Sequence, residues 1–312
     1  MNTALVTGGA GFIGSHVVDA LLMRGMNVVV MDDLSTGSKE NILNKDVVFV
    51  EGDIRDGQKV EHVFRVNRPA VVFHLAAQIS VSQSVKDPSY DADVNILGTL
   101  NLLRSAVAND TGKFIFSSSG GVMYGEDPGE YPTSEKEPEV PFSPYGVAKL
   151  SAERYLYSFN KEHGLKYTAL RYANVYGPRQ NPYGEAGVVA IFSEKMLKKE
   201  GITINGDGKY IRDYVYVEDV ANANMLAMDN GENGIYNIGT GIGTDVNELF
   251  EKLKKINVYQ QDANYGPPRP GDLRKSILNS DKAQNGLNWR PQYTLEEGLI
   301  QTHDYFVSKL GF

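Results

Sequence analysis

The sequence predicts an α/β fold in which a doubly wound parallel sheet is followed by a smaller α+β lobe. Three observations indicate this architecture: short apolar runs alternate with segments of helical length through the first half, a glycine-rich turn follows the first run, and the alternation loosens in the last third. A chain of 312 residues is long enough for two structural units. We expect residues 1–175, with parts of 212–240, to form the first unit and residues 176–312 the second, with a boundary that is discontinuous in sequence.

The first half contains the clearest elements. Residues 3–7 and 27–32 are apolar runs typical of buried strands, and apolar side chains recur at helical spacing between them as far as Gly25, which we expect to end the helix. Three further strands are predicted at Val47–Val50, Val71–Leu75 and Lys113–Ser117, and two helices at Asp56–Val66 and Asp93–Ala108. Strands that alternate with helices favour a parallel sheet.

The second half is less regular. Residues 126–144, rich in Pro, Gly and Glu, predict a long surface loop, after which Pro144 begins a helix that runs to about Glu162. A functional loop is expected at 177–187. The other predicted elements are strands over 165–175 and Gly234–Gly239, of which the second returns to the first sheet, and helices near 188–199 and 245–256.

Composition excludes several classes of site and partner. The chain has no Cys, and its five His residues show no metal-ligand spacing, so we expect no disulfide, no cysteine nucleophile and no metal site. A net charge of -8 opposes binding to nucleic acid. No apolar run approaches the roughly 18 residues of a membrane span and no secretion signal is evident, so we expect no membrane partner and a cytoplasmic location.

A dinucleotide site is indicated between the first strand and the first helix. Gly8, Gly11 and Gly14 stand where a phosphate-binding turn needs a tight bend, a close backbone approach and a close contact between helix and sheet. The helix N-terminus favours the negative charge of a diphosphate. Asp32 ends the second strand, where a carboxylate accepts hydrogen bonds from a ribose 2′-hydroxyl, and this favours NAD over NADP. Alternatively, Asp32 and its neighbour Asp33 are turn residues.

The glycine spacing differs from the Gly-x-Gly-x-x-Gly of most dehydrogenases. The run Thr7-Gly8-Gly9-Ala10-Gly11-Phe12-Ile13-Gly14 resembles the phosphate-binding turn of the extended short-chain dehydrogenases/reductases, which implies a Rossmann-type fold. Further segments fit the same family: Gly52-Asp53-Ile54, His74-Leu75-Ala76-Ala77, Asn95, Ser117-Ser118-Ser119, Tyr145-x-x-x-Lys149, Arg212-Asp213-Tyr214 and Arg269-Pro270-Gly271-Asp272. The resemblance is strongest to the UDP-glucose 4-epimerases and their nucleotide-sugar relatives within it.

The resemblance implies NAD as the cofactor and assigns residues to it. Asp53 and Ile54 would flank the adenine, the segment Leu75-Ala76-Ala77 would pass beside the cofactor, and Asn95 would support the site. The implied NAD-binding residues are Gly8, Gly11, Phe12, Ile13, Gly14, Asp32, Asp53, Ile54, Leu75, Ala76, Ala77, Asn95, Tyr145 and Lys149.

A candidate catalytic pair lies at the start of the predicted helix after Pro144. Tyr145 and Lys149 are four residues apart, so their side chains share a face, and a nearby ammonium stabilises a tyrosine phenolate as a general base. Two other Tyr-x-x-x-Lys pairs share this spacing, and we expect packing or solvated roles for them. The resemblance implies that Tyr145 and Lys149 are catalytic and that Ser119 binds the substrate 4-hydroxyl. Because the chain is one residue longer after the serines than related epimerases, Ser118 remains an alternative.

The residues after the serines discriminate between reactions. Dehydrating relatives carry an acidic pair here and decarboxylating relatives carry Glu, whereas this chain has Gly120 and Gly121, which disfavours elimination. The implied function is NAD-dependent 4-epimerisation of UDP-hexoses, by transient oxidation at carbon 4, rotation of the 4-keto sugar and return of the hydride. The alternatives are a dehydratase or decarboxylase of the same family, and a non-catalytic protein that senses NAD.

The resemblance also assigns residues to a UDP-sugar, mostly in the second lobe. Guanidinium groups suit a bidentate grip on a diphosphate, which favours Arg212 and Arg269, with Arg179 a weaker candidate. The implied substrate-binding residues are Ser119, Tyr145, Tyr172, Asn174, Val188, Arg212, Arg269, Asp272 and Ser276. A packing role for Tyr172 is the alternative.

Two finer expectations concern specificity and assembly. Ser276 stands where some related epimerases carry a bulky Tyr, which predicts room for N-acetylated sugars unless Lys275 or Tyr210 fills the space. Helices near 93–108 and 144–162 resemble the dimerising pair of the family, so we expect a homodimer.

Overall fold

A seven-stranded sheet forms the centre of the first lobe. The computed structural model describes residues 2–183, 187–269 and 272–312. Adjacent strands of this sheet are parallel, which confirms the predicted fold class. In spatial order they are β3 (Val48–Glu51), β2 (Asn27–Asp32), β1 (Thr3–Thr7), β4 (Val71–His74), β5 (Lys113–Ser119), β6 (Lys166–Tyr172) and β10 (Gly234–Ile238). The strand order reverses between β1 and β4, and sheets of this kind bind ligands at that point.

Helices cover both faces of this sheet because its strands are apolar on both sides. In β1, Ala4 and Val6 join the core on one face and Leu5 joins the core on the other. The first face is packed by α1 (Phe12–Met23) and α8 (Val217–Asp229), and the second by α2 (Gly57–Asn67), α5 (Thr99–Ala108) and α6 (Pro144–His163). Two short helices, α3 (Val81–Lys86) and α4 (Pro88–Ala92), lie between β4 and α5.

Local sequence sets the ends of these helices. Ser143 accepts a hydrogen bond from the backbone N–H of Gly146 at 3.1 Å, and Pro144 occupies the first turn of α6. Gly164 ends α6 in the left-handed region, at a φ of 71°. Gly25 follows α1 with a φ of 70°, as the sequence predicts for the end of that helix.

The helix predicted over Asp93–Ala108 is two elements. Residues Asp93–Gly98 form a π-helical turn, and the α-helix begins only at Thr99. Apolar spacing did not reveal this turn, because a single wide turn barely shifts the pattern. Such turns are frequent at functional sites. Here it places Asn95 in hydrogen-bonding contact with Gln78, in the segment that follows β4.

The second lobe contains two small sheets and a helical layer. The larger sheet is built on β9 (Ile211–Tyr216), which pairs with β7 (Asn174–Tyr176), β11 (Gly243–Asp245) and β13 (Lys275–Ser276). The smaller sheet pairs β8 (Thr203–Asn205) with β12 (Asn264–Gly266). The helices are α7 (Val188–Leu197), α9 (Val246–Ile256) and α11 (Leu295–Leu310). Phe192 and Phe250 meet edge to face between α7 and α9, with ring centroids 6.1 Å apart.

The chain crosses between the lobes more than once. The single strand predicted over 165–175 is interrupted: β6 ends at Tyr172, the N–H of Ala173 bonds to Ile238 O, and the chain enters the second lobe as β7. The chain then returns, because α8 packs on α1 and β10 pairs with β6, as predicted for that strand. A last short helix, α10 (Asp281–Leu287), packs on β10. No helix in the described ranges is long and apolar enough to cross a membrane.

Candidate functional site

A cleft of about 1750 Å³ follows the carboxyl edge of the first sheet. Its walls come from the segments after β1, β2, β3 and β4 and from the ends of β5 and β6. Ligands bind on this side of such sheets, where the reversal of strand order leaves a crevice. The predicted cofactor residues that line the cleft are Gly8, Gly11, Phe12, Ile13, Gly14, Asp32, Asp53, Ile54, Leu75, Ala76, Ala77, Tyr145 and Lys149.

The glycine turn at the start of α1 has no room for side chains. A Cβ at Gly14 would lie 2.1 Å from Gly8 O, and a Cβ at Gly8, whose φ is 71°, would lie 2.6 Å from Ala76 N. The helix begins after Gly11 without a side-chain cap. Because the first backbone N–H groups of a helix carry partial positive charge, an anionic group can cap them. The turn therefore fits the diphosphate of a dinucleotide.

Asp32 is held in a fixed orientation at the end of β2. Its Oδ2 accepts from Ala10 N and its Oδ1 accepts from Leu34 N, each at 2.9 Å. Burial raises the pKa of Asp32, and these backbone bonds lower it. The contact with Leu34 is the turn geometry of the alternative interpretation, but the carboxylate also borders the cleft, as a ribose-binding residue must.

Asn95 is buried next to the segment that follows β4 and does not line the cleft, so its role in supporting the cofactor stays a prediction. Its Oδ1 accepts from Gln78 N at 3.0 Å and its Nδ2 donates to Gln78 O at 2.9 Å. Buried His74 lies next to Asn95 and is held by two threonines. The hydroxyl of Thr99 donates to Asn95 O, so Thr99 Oγ1 must accept from Nε2–H of His74. Nδ1 of His74 then accepts from the hydroxyl of Thr7. Burial lowers the pKa of His74 to about 3, so the ring is neutral.

Tyr145 and Lys149 lie together at the floor of the cleft, on the first turns of α6. Lys149 Nζ lies 5.8 Å from the Tyr145 ring centroid and donates to Ser117 O at 2.8 Å. Burial lowers the pKa of Lys149 to about 8. An ammonium with this pKa is mostly charged at neutral pH and titrates just above it.

The pKa of Tyr145 lies above its usual value, whereas the sequence argument expected a stabilised phenolate. Burial raises this pKa, the carboxylate of Asp91 raises it further, and a hydrogen bond with Ser119 lowers it. The ammonium of Lys149 is directed at Ser117 O rather than at the phenol oxygen. Tyr145 is therefore a phenol at neutral pH, and it needs added positive charge nearby to become a base.

The three serines at the end of β5 have separate partners. Ser118 Oγ donates to buried Glu153 at 2.6 Å, whereas Ser119 lies close enough to Tyr145 to lower its pKa. Ser117 Oγ lies 3.1 Å from the hydroxyl of Tyr172. This geometry favours Ser119 over Ser118 as the residue that acts with Tyr145. Tyr172 is a packed aromatic whose edge still borders the cleft.

The structure brings together three of the predicted substrate residues. Arg212 on β9 pairs in register with Ser276 on β13, and its guanidinium donates to Asp272. Lys275 Nζ lies over the ring of Tyr131, 4.2 Å from the centroid, so its ammonium is engaged there. None of these residues lines the cleft at the carboxyl edge of the first sheet; they are Arg212, Asp272, Lys275 and Ser276.

The other predicted substrate residues are more scattered. Asn174 is exposed at the start of β7, Val188 is half-buried at the start of α7, and Arg269 is exposed beside Pro270 and Gly271, which lie outside the described residues. The structure does not gather these side chains into one site.

Arg179 lies in the cleft wall and has an unusual backbone. Its φ of 68° falls in the left-handed region, and one terminal nitrogen donates to Asp19 at 2.6 Å. Its other terminal nitrogen is buried with no protein partner within the ranges that the structure describes. The weaker sequence candidate is therefore a donor placed on the cleft wall.

A buried ion pair behind the serines was not predicted from the sequence. Arg171 on β6 binds Glu153 on α6 through two bonds, Nε to Oε1 at 3.0 Å and a terminal nitrogen to Oε2 at 2.6 Å. Both side chains are almost fully buried. The signal was present, since Arg171 interrupts an apolar strand and a charge there needs a partner. The pair joins the strand and the helix that carry the candidate catalytic groups.

Comparison with known proteins gives consistent matches over nearly the whole chain. Residues 4–239 match the model of the NAD dependent epimerase/dehydratase family. The chain is 44% identical over 310 residues to the UDP-glucose 4-epimerase of Mycolicibacterium smegmatis, with 98% of each chain covered.

Two solved structures are similar as well. The crystal structure of UDP-glucose 4-epimerase with UDP-glucose from Thermotoga maritima has a TM-score of 0.97 and 56% identity, with 99% of each chain covered. The UDP-N-acetylglucosamine 4-epimerase of Methanobrevibacter ruminantium, in complex with UDP-N-acetylmuramic acid, has a TM-score of 0.93 and 38% identity, again with 99% of each chain covered.

Proposed function

The chain belongs to the NAD dependent epimerase/dehydratase family, and from this premise we propose that it is a UDP-glucose 4-epimerase that interconverts UDP-glucose and UDP-galactose. The observation that carries the proposal is the pair Tyr145 and Lys149 at the floor of a cleft whose glycine turn fits a dinucleotide, with Ser119 next to Tyr145 at the end of β5. A protein that only senses NAD has no need of such a group.

The chemistry explains why a redox cofactor is required. Carbon 4 of the hexose is not next to a carbonyl, so its hydrogen is not acidic and direct deprotonation is unrealistic. Bound NAD, in its oxidised form, supplies a hydride acceptor that later returns the hydride, and it also brings positive charge. The residues that fit it are the glycine turn, Asp32 for the ribose, and the segment Leu75–Gln78 along the cleft wall.

The protein supplies the proton chemistry at the sugar 4-hydroxyl. Ser119 binds this hydroxyl and Tyr145 accepts its proton, with the ammonium of Lys149 lying 5.8 Å from the Tyr145 ring centroid. Because burial raises the pKa of Tyr145, its phenolate is a strong base toward the 4-hydroxyl, and the phenol so formed returns the proton to the sugar oxygen as the 4-keto group is reduced. One tyrosine therefore serves both halves of the reaction.

Dehydration or decarboxylation is the second candidate within the family, and the structure gives a reason against it. A Cβ at Gly120 would lie 2.4 Å from a terminal carbon of Leu278, so an acidic side chain there would require Leu278 to move. Gly121 has open space around its Cβ position, but it carries no carboxyl group. These two positions therefore lack the carboxyl groups that dehydrating relatives carry here.

The proposal also assigns residues that bind the diphosphate and the ribose of the UDP-sugar. Arg212 would bind the diphosphate, and Asp272, now bonded to Arg212, would bind the uridine ribose. Ser276 pairs in register with Arg212 on the neighbouring strand, and a small side chain at this position would leave room for a substituent on the sugar. We therefore propose that the N-acetylated forms of both sugars are accepted alongside UDP-glucose and UDP-galactose.

A homodimer is proposed on the surface of the first lobe. Leu97 in the π turn and Val147 on α6 are apolar side chains about half exposed, at 53% and 48%, on elements that contact each other. A second copy that packs there would bury both. Sedimentation of the wild type and of Val147→Glu tests this, since a monomeric wild type contradicts it. The cytoplasmic location stays a prediction.

The function is tested by incubating the protein with UDP-galactose and following products by NMR and NADH absorbance. We expect UDP-glucose to form with no net accumulation of NADH. Binding of NAD without turnover would instead identify a sensor, and loss of water or carbon dioxide from the sugar would identify a dehydratase or decarboxylase. Either outcome overturns the proposal.

A further inference from the structure

A buried carboxylate outside the predicted site adjoins the catalytic helix. Asp91, at the end of α4, is 1% exposed, and α4 packs against α6, which carries Tyr145 and Lys149. Its Oδ1 accepts from Gln78 Nε2 at 2.7 Å and from Asn95 Nδ2 at 3.0 Å. Both donors are neutral amides, which solvate the carboxylate but do not balance its charge.

A buried charge without a counter-charge is strongly unfavourable, so the position of cations around Asp91 matters. Burial raises the pKa of Asp91, and the two amide hydrogen bonds and the positive charge of Lys149, on the adjoining helix α6, act in the opposite direction. Lys149 is itself buried, and its only hydrogen bond in the described ranges goes to the neutral carbonyl of Ser117. The carboxylate of Asp91 and the ammonium of Lys149 can therefore each balance the buried charge of the other.

The charged and titratable groups that act on Lys149, or on which Lys149 acts, leave Asp91 as this partner. From β4 the neighbour is His74, which is neutral, and from α6 itself the neighbours are Tyr145, a phenol, and Glu153. The carboxylate of Glu153 is already paired with Arg171 through two bonds, although Arg171 also binds Glu139. Only α4 then brings Lys149 a negative charge that no other cation neutralises within the described chain.

We propose that Asp91 is the buried counter-ion of Lys149, and that through Gln78 and Asn95 it also fixes the segment after β4 against the catalytic helix. Asp91 is a positioning residue, since it acts on the reaction through Lys149 and the cleft wall. Its importance for turnover rests on the proposed function, but the pairing with Lys149 does not.

The pairing predicts the direction in which the pKa values of Lys149 and Tyr145 change when the charge of Asp91 is removed. Asp91 raises the pKa of both Lys149 and Tyr145, because a negative charge favours the ammonium and disfavours the phenolate. Asp91→Asn keeps the size and an acceptor oxygen for the two amides but removes the charge. Both pKa values should then move down together, whereas a purely structural lesion lowers activity without moving them.

The test titrates Lys149 directly in [13Cε]lysine-labelled protein by NMR, with its signal identified by its loss in Lys149→Met. The wild-type midpoint, near the pKa of about 8 given above, should fall by roughly half a pH unit or more in Asp91→Asn. The matched control is Asp93→Asn, which removes the same charge from an exposed position on the same segment and should leave the midpoint unchanged. An unchanged midpoint in Asp91→Asn overturns the proposal.

Two further measurements keep the outcome decisive. If Asp91→Asn does not fold, the thermal unfolding of the double variant Asp91→Asn/Lys149→Met answers the same question. Removing both charges should recover part of the stability that the single variant loses. No recovery overturns the pairing. In the epimerase assay, both limbs of the pH profile should move to lower pH in Asp91→Asn. If the wild type turns over no UDP-hexose, the proposed function fails, but the NMR titration still decides the pairing.

Discussion

Replacing Arg171 by Met should destabilise the fold strongly, because it leaves Glu153 buried without its counter-charge. Glu153 would keep the hydroxyl of Ser118, at 2.6 Å, as its only partner among the contacts described. Removing one member of a buried pair costs about 3–5 kcal/mol. The matched control is Arg154→Met, since Arg154 bonds to Glu139 at 3.0 Å but is 61% exposed, and exposed pairs contribute about 1 kcal/mol or less.

The assay is urea unfolding of the wild type and both variants at neutral pH. Arg171→Met should lower the free energy of unfolding by about 3–5 kcal/mol, and Arg154→Met by about 1 kcal/mol or less. A loss in Arg171→Met no greater than that in Arg154→Met would refute the reasoning.

The remaining predictions concern turnover and specificity. Tyr145→Phe should lower the rate of epimerisation by about 10²–10⁴-fold with NAD affinity retained, because the proton acceptor is lost while the cleft wall is kept; more than a tenth of wild-type activity would contradict the assignment. Ser276→Tyr should lower kcat/KM for the N-acetylated sugars by about tenfold or more relative to UDP-glucose, since the added ring fills the space beside Arg212. Equal effects on both sugar pairs, or rejection of N-acetylated sugars by the wild type, would exclude this account.

Features encoded locally could be predicted from the sequence. The limits of β1, β2 and α1 follow from apolar runs and a glycine, and α6 begins where Ser143 and Pro144 cap it. These elements depend on contacts within a few residues, which a single sequence displays. The approach of Tyr145 to Lys149 belongs to the same class, because helical spacing alone brings the two together.

Features that depend on distant contacts could not be predicted. Ser276 and Arg212 are neighbours because β13 pairs with β9, and the charge of Asp91 acts on Lys149 because α4 packs on α6. The raised pKa of Tyr145 results from burial and from Asp91, neither of which is visible in the spacing of Tyr145 and Lys149. The π turn before Thr99 changes the apolar pattern too little to be recognised.

Conversion of UDP-galactose in D2O tests the central claim most directly. If the hydrogen at carbon 4 leaves and returns as a hydride within the cleft, it never exchanges with water. We predict UDP-glucose with no deuterium at carbon 4, measured by NMR of the isolated product. Deuterium at that carbon would contradict the oxidation and return of hydride that we assign to this site.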